Sequence, residues 1–87
     1  MDGKIYIAIL QRGWVYVGKL SKEGSQCTLT DASNIRRWGT ENGLGELAAK
    51  GPLSETQLDK VGTVTFHELT TVALIECDQE VWSKELA

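Results

Sequence analysis

The sequence predicts a mainly β fold: a small five-stranded, strongly bent barrel with one short helix in the 43–50 insert. Three observations lead there. Apolar and polar residues alternate in short runs along most of the chain, the period-2 signature of strands. The early runs are separated by tight turn clusters, "QRG" and "KEGS", so consecutive strands are expected to be hairpin neighbours. Only one internal stretch, "LGELAAKGP", reads as helical, with Gly51 and Pro52 closing it as a helix C-terminus.

The elements follow in order. "KIYIAILQ" (4–11) places Ile5, Ile7 and Ile9 on one face and Tyr6, Ala8 and Leu10 on the other. A strand apolar on both faces is central, or covered on both sides. In "WVYVGKLSK" (14–22), Val15, Val17 and Lys19 alternate with Trp14, Tyr16, Gly18 and Leu20. Gly18 inside a strand signals a sharp bend, a bulge or a close backbone approach. "QCTLTDAS" (26–33) is a third strand with Cys27 and Leu29 on one face, and "IRRW" fits either a short strand or the edge of a loop. The helix has at most two turns and would not hold alone, so Leu44, Leu47 and Ala48 must pack on the barrel.

Residues 53–60 are polar and fit an edge strand or an extended loop equally. "TVTFHEL" is a strand with Val64 and Phe66 inward, and "TTVALIECD" is the last strand, with Val72 and Leu74 opposed to Ala73, Ile75 and Cys77. The reading is one β domain over residues 1–80 and a segment 81–87. In that segment Val81, Trp82 and Leu86 have helical spacing, and a short helix and a loose tail both fit.

Composition narrows the function classes. A net charge of −3 argues against a general nucleic-acid binder, which would be clearly basic. Two cysteines without a C-x-x-C pattern fit reduced, half-buried thiols in a cytosol, a Cys27–Cys77 disulfide being the alternative. No apolar run approaches the ~20 residues that span a bilayer, and no basic segment leads into an apolar one, so a soluble cytoplasmic protein is expected. A chain of 87 residues has a marginal core, which oligomerisation commonly supplements.

The chemistry is sparse. The single histidine, His67, has no nucleophile and acid patterned around it, and His67, Cys27 and Cys77 lack zinc-ligand spacing. The expectation is therefore no enzyme, no metal and no cofactor. The suggestive piece is "IRRWGTENGLGELAAKGP" (35–52). Arg36 and Arg37 beside Trp38 suit a small anionic, planar ligand, and Gly43 and Gly45 before a helix suit an approaching anion. The bland alternative puts Trp38 in the core, one arginine paired to Asp31 or Glu41, and the glycines as mere turn-formers. On energetic grounds the segment is read as a structural insert first, with Trp38 and Leu47 buried.

"VYVGKLSKEGSQCTLTDA" and "GTVTFHELTTVALIE" resemble the two motifs of the Sm-like barrels, close relatives in shape of SH3-like barrels. That resemblance implies edge pairing between subunits, in some cases into a ring. The RNA-gripping positions of the family do not match: Glu23-Gly24-Ser25 and His67-Glu68 stand in their place. Over nearly the whole chain, "RRWGT" followed by "GLGELA" resembles a family of uncharacterised small proteins of phages, prophages and mobile elements. The implied setting is a bacterial cytoplasm. The resulting expectation is a non-enzymatic accessory protein that self-assembles and acts by binding. A small-ligand or nucleotide-sequestering protein and a nucleic-acid-binding regulator are the alternatives.

Overall fold

The isoleucine alternation makes the first strand, β1 (Lys4–Leu10), and the short turns that follow make its neighbours. The computed structural model describes residues 3–39 and 43–86. After β1 come β2 (Val15–Glu23), β3 (Gln26–Arg37), the helix α1 (Gly43–Lys50), β4 (Gln57–His67), β5 (Thr71–Glu76) and the helix α2 (Gln79–Leu86). One-turn 3-10 helices, Gln11–Gly13 and Glu68–Thr70, join β1 to β2 and β4 to β5. All strand pairs are antiparallel, in the order β4-β3-β2-β1-β5. β1 therefore has a neighbour on each side, as its two apolar faces require.

Both ambiguous segments resolve. "IRRW" continues β3 as far as Arg37, and β4 begins at Gln57, after a turn in which Thr56 N donates to Leu53 O (3.0 Å) and Leu53 N to Thr56 Oγ1 (3.0 Å).

The sheet is strongly curled. On a flat sheet the outer strands β4 and β5 would lie about 19 Å apart. Only three residues join them, and even a fully extended link of that length reaches about 15 Å from His67 to Thr71. The bend is built into β3. Lys19 pairs with Thr30 and Val17 with Ser33, so Gly18 alone faces Asp31 and Ala32. On the other side Leu29 pairs with Val64 and Ala32 with Gly62, again two residues of β3 against one. Asp31 takes the extra step at φ 52°, and Lys19 holds its carboxylate at 3.0 Å. A Cβ on Gly18 would lie 3.1 Å from the Cβ atoms of both Leu29 and Ala32. Bulge and close approach thus occur together at Gly18. The curl stops short of closure, because β4 and β5 do not pair.

Each face carries its own core. On one, Ile5, Ile7, Val17 and Ile35 are covered by Leu44, Leu47 and Ala48 of α1 and by Trp82 and Leu86 of α2. On the other, inside the curl, Ala8, Leu10, Leu20, Cys27, Leu29 and Ala32 meet, with Val64 and Phe66 closing over them. Segment 81–87 is thus largely helix α2, and it packs into the first core. The Trp82 indole N–H donates to Leu47 O and Ala48 O, both at 3.1 Å. These are carbonyls of α1's last turn, which have no partner within the helix. Asp78 caps α2 by accepting from Val81 N (3.1 Å), and its own N–H donates to Ala48 O (2.9 Å).

One expectation is overturned here. Leu47 is fully buried, but Trp38 is 44% exposed and Trp82, 0% exposed, fills the core instead. Trp38 lies beyond the last residue of β3, past a register break between Ile35 and Arg37, and so outside the helix-covered core that Ile35 joins. Trp82→Ala is expected to cost about 3–5 kcal/mol, enough to unfold so small a domain, and Trp38→Ala less than about 1 kcal/mol. Urea denaturation of the two variants decides this; comparable losses would refute the assignment.

Candidate functional site

Arg36 and Arg37 end β3 at a break in its register with β4, and each finds a carboxylate. Arg36 Nη2 lies 3.1 Å from Asp59 Oδ1, on β4, and Arg37 Nη2 lies 3.6 Å from Glu55 Oε1, in the turn before β4. All four side chains stay largely in solvent, where such pairs stabilise little. The partners are not those considered from the sequence: Asp31 holds Lys19, and Glu41 lies outside the described residues.

Trp38 follows at the strand end, its carbonyl accepting from Thr56 Oγ1. Next to it, Gly39 (φ 67°) passes so close to the backbone of Glu55 that a Cβ would lie 2.3 Å from its carbonyl carbon. Only glycine fits, and the contact clamps the end of β3 to the start of β4. Gly43 opens α1, and Gly45 lies one residue past Leu44 with open space beside it. Of the five sequence candidates, Arg36, Arg37 and Trp38 are thus exposed at the end of β3 and just past it, and the glycines sit apart on α1.

The nucleophile and base candidates have structural occupations. His67 Nδ1 accepts from Leu69 N (3.1 Å) and its carbonyl from Thr70 Oγ1 (2.7 Å), so the residue caps the 3-10 turn before β5. Cys27 and Cys77 are both free and buried, one in each core. Burial pushes the Cys77 thiol up to about 12, far from a reactive thiolate. Among the described residues no grouping of three His, Cys, Asp or Glu side chains is set to hold a metal ion. Nor is any helix among them long and apolar enough to cross a membrane.

Two features escape sequence reasoning. The first is a groove of about 310 Å³ where the curl stays open, lined by Leu20, Cys27, Leu69, Thr71 and Leu74. The Lys22–Glu68 ion pair forms its rim, its hydrogen bond raising the lysine's pKa and lowering the glutamate's. Beside the groove Leu69 is 76% exposed, Val72 66% and Leu74 38%. The shared parity of Val72 and Leu74 was legible; that β4 stops short of covering them was not. The second is Trp14, 56% exposed and stacked on Tyr16 with ring centroids 6.4 Å apart and planes 11° from parallel. Its signal was the i, i+2 pair of aromatics in "WVY". No protein-family model matches the chain, and neither does any curated protein.

Cys77 gives the helix-covered core a pH signature. Its unfolded thiol ionises near the ordinary value of 9.0, while the folded one stays protonated to about 12. Above pH 9 the unfolded chain therefore holds fewer protons than the folded one, and stability must fall as pH rises through that window. The urea midpoint is expected to drop between pH 9 and 11 in the parent and to drop less in Cys77→Ala. Equal slopes in both would exclude this origin.

Proposed function

We propose that the protein is a non-enzymatic accessory protein of a phage or mobile element, a small β module that assembles with copies of itself through free strand edges and acts by binding. One observation carries the reading: β5 is an edge strand whose flank exposes Leu69, Val72 and Leu74 around an apolar groove. Free edges invite pairing unless charge, proline or irregularity protects them. β4 has such protection: Asp59 and Lys60, then a register break at Val61 and a left-handed Gly62 (φ 83°). β5 carries neither lysine nor proline, and its one irregularity falls at its start, near Val72. A second copy over β5 would satisfy its outward backbone groups and cover the leucines, adding burial that a domain of this size lacks by itself. Free, buried thiols suit a reducing bacterial cytoplasm.

A second reading, a small-ligand or nucleotide-sequestering protein, is favoured by the solvent-facing guanidiniums of Arg36 and Arg37 next to the exposed Trp38.

Light scattering after size exclusion at micromolar concentration is expected to report an assembly, and a double variant Val72→Lys, Leu74→Lys a folded monomer with unchanged circular dichroism. A parent eluting cleanly at 9.6 kDa would overturn the assembly.

A further inference from the structure

We infer that the β1–β2 turn and the face of β2 and β3 beside it form a platform for a nucleobase carrying a phosphate, with Trp14 as its stacking surface and Arg12 as its phosphate contact. The inference deepens the ligand-binding reading and does not depend on edge pairing.

Three independent features meet there. Trp14 is mostly in solvent yet held in place: its ring lies parallel to that of Tyr16, which packs against the inner core, and its carbonyl accepts from Leu10 N (2.7 Å). An indole face fixed in this way accepts a planar ring with little further ordering. Second, Tyr16 pairs with Asn34 and Asn34 with Asp59, so these three share one face. The Arg36–Asp59 ion pair puts Arg36 on it as well, two residues past Asn34 on β3. Guanidinium and carboxylate side by side supply donors and an acceptor for the edge of a base. Third, Arg12 is held at φ 68°, ψ 18°, a left-handed conformation that glycine would adopt without cost. It is exposed and, alone among the arginines of the described residues, has no carboxylate partner. A strained backbone that presents an unpaired cation beside an exposed aromatic ring is an arrangement found where ligands bind.

Planarity, a hydrogen-bonding edge and one phosphate group are together the properties of a nucleotide. On a chain of net charge −3 the cation is local, which favours one phosphate over a long polyanion. A free nucleotide and a base in single-stranded nucleic acid share this chemistry.

Tryptophan fluorescence of the full chain, titrated with AMP, GMP, adenosine, ribose 5-phosphate and a short oligo-dA, tests the platform. AMP or GMP should quench the emission, adenosine should bind more weakly and ribose 5-phosphate should not quench. If oligo-dA binds better than AMP, with a steep salt dependence, the source is single-stranded nucleic acid; if not, it is the free nucleotide. Trp14→Ala should abolish binding while Trp14→Phe retains part of it. Arg12→Gly should raise the melting temperature and weaken nucleotide binding by about tenfold. No response to any nucleotide or to oligo-dA overturns both the platform and the ligand-binding reading. Binding that survives Trp14→Ala but is lost in Trp38→Ala overturns the platform alone, as does an Arg12→Gly variant that binds like the parent.

Discussion

The fold depends on one crowded crossing, where Gly18 of β2 meets the two-residue step Asp31-Ala32 of β3. There β3 carries one residue more than β2, and against β4 it gains a residue that β4 takes back at Val61, so it cannot lie flat between them. The curl that results brings β4 back toward β5 and lets three residues span what a flat sheet would hold apart. It also decides which apolar residues have somewhere to go. Leu20, Cys27 and Leu29 are buried only because the far half of the sheet folds over them. A larger side chain at Gly18 would push against two Cβ atoms that are themselves part of this core.

Once the sheet is curled, its outer face is left bare and needs a cover, and the two helices provide one. Neither is long enough to be stable alone, each having eight residues. They hold each other through the Trp82 indole, whose N–H adds a second donor to the Leu47 and Ala48 carbonyls of α1 while its ring joins Ile7 and Val17 in the core. One side chain thus ties the two helices together and supplies the largest apolar surface in that core.

The parts of the fold legible in the sequence were those with a local cause. Alternation in "KIYIAIL" gave a strand with two buried faces, and Gly51-Pro52 closed α1 where the structure ends it. Gly18 announced an irregularity without saying which kind. What failed was the choice among tryptophans. Trp38 follows two arginines in a glycine-rich insert and Trp82 lies in a polar tail, and only the packing of α2 on the sheet, a long-range contact, decides between them. The site was legible to the same degree. Arg36 and Arg37 are exposed, as their charge suggested, but Trp38 is exposed where burial was expected, and each arginine is tied to a carboxylate. Trp14, on the face that Arg36 occupies, was seen from sequence only as part of a strand.

Gln79 adds one more consequence. Its side chain behaves as a strand residue toward β1: Oε1 accepts from Ile5 N (2.7 Å), while Nε2 donates to Ile5 O (2.9 Å) and Cys77 O (2.8 Å). β1 is made before β5 and Gln79, its partners across sixty-one to seventy-four residues of chain. Until those residues arrive the central strand has one open edge, so the pairing that completes the sheet is long-range and slow to form, and the incomplete sheet exposes apolar surface meanwhile.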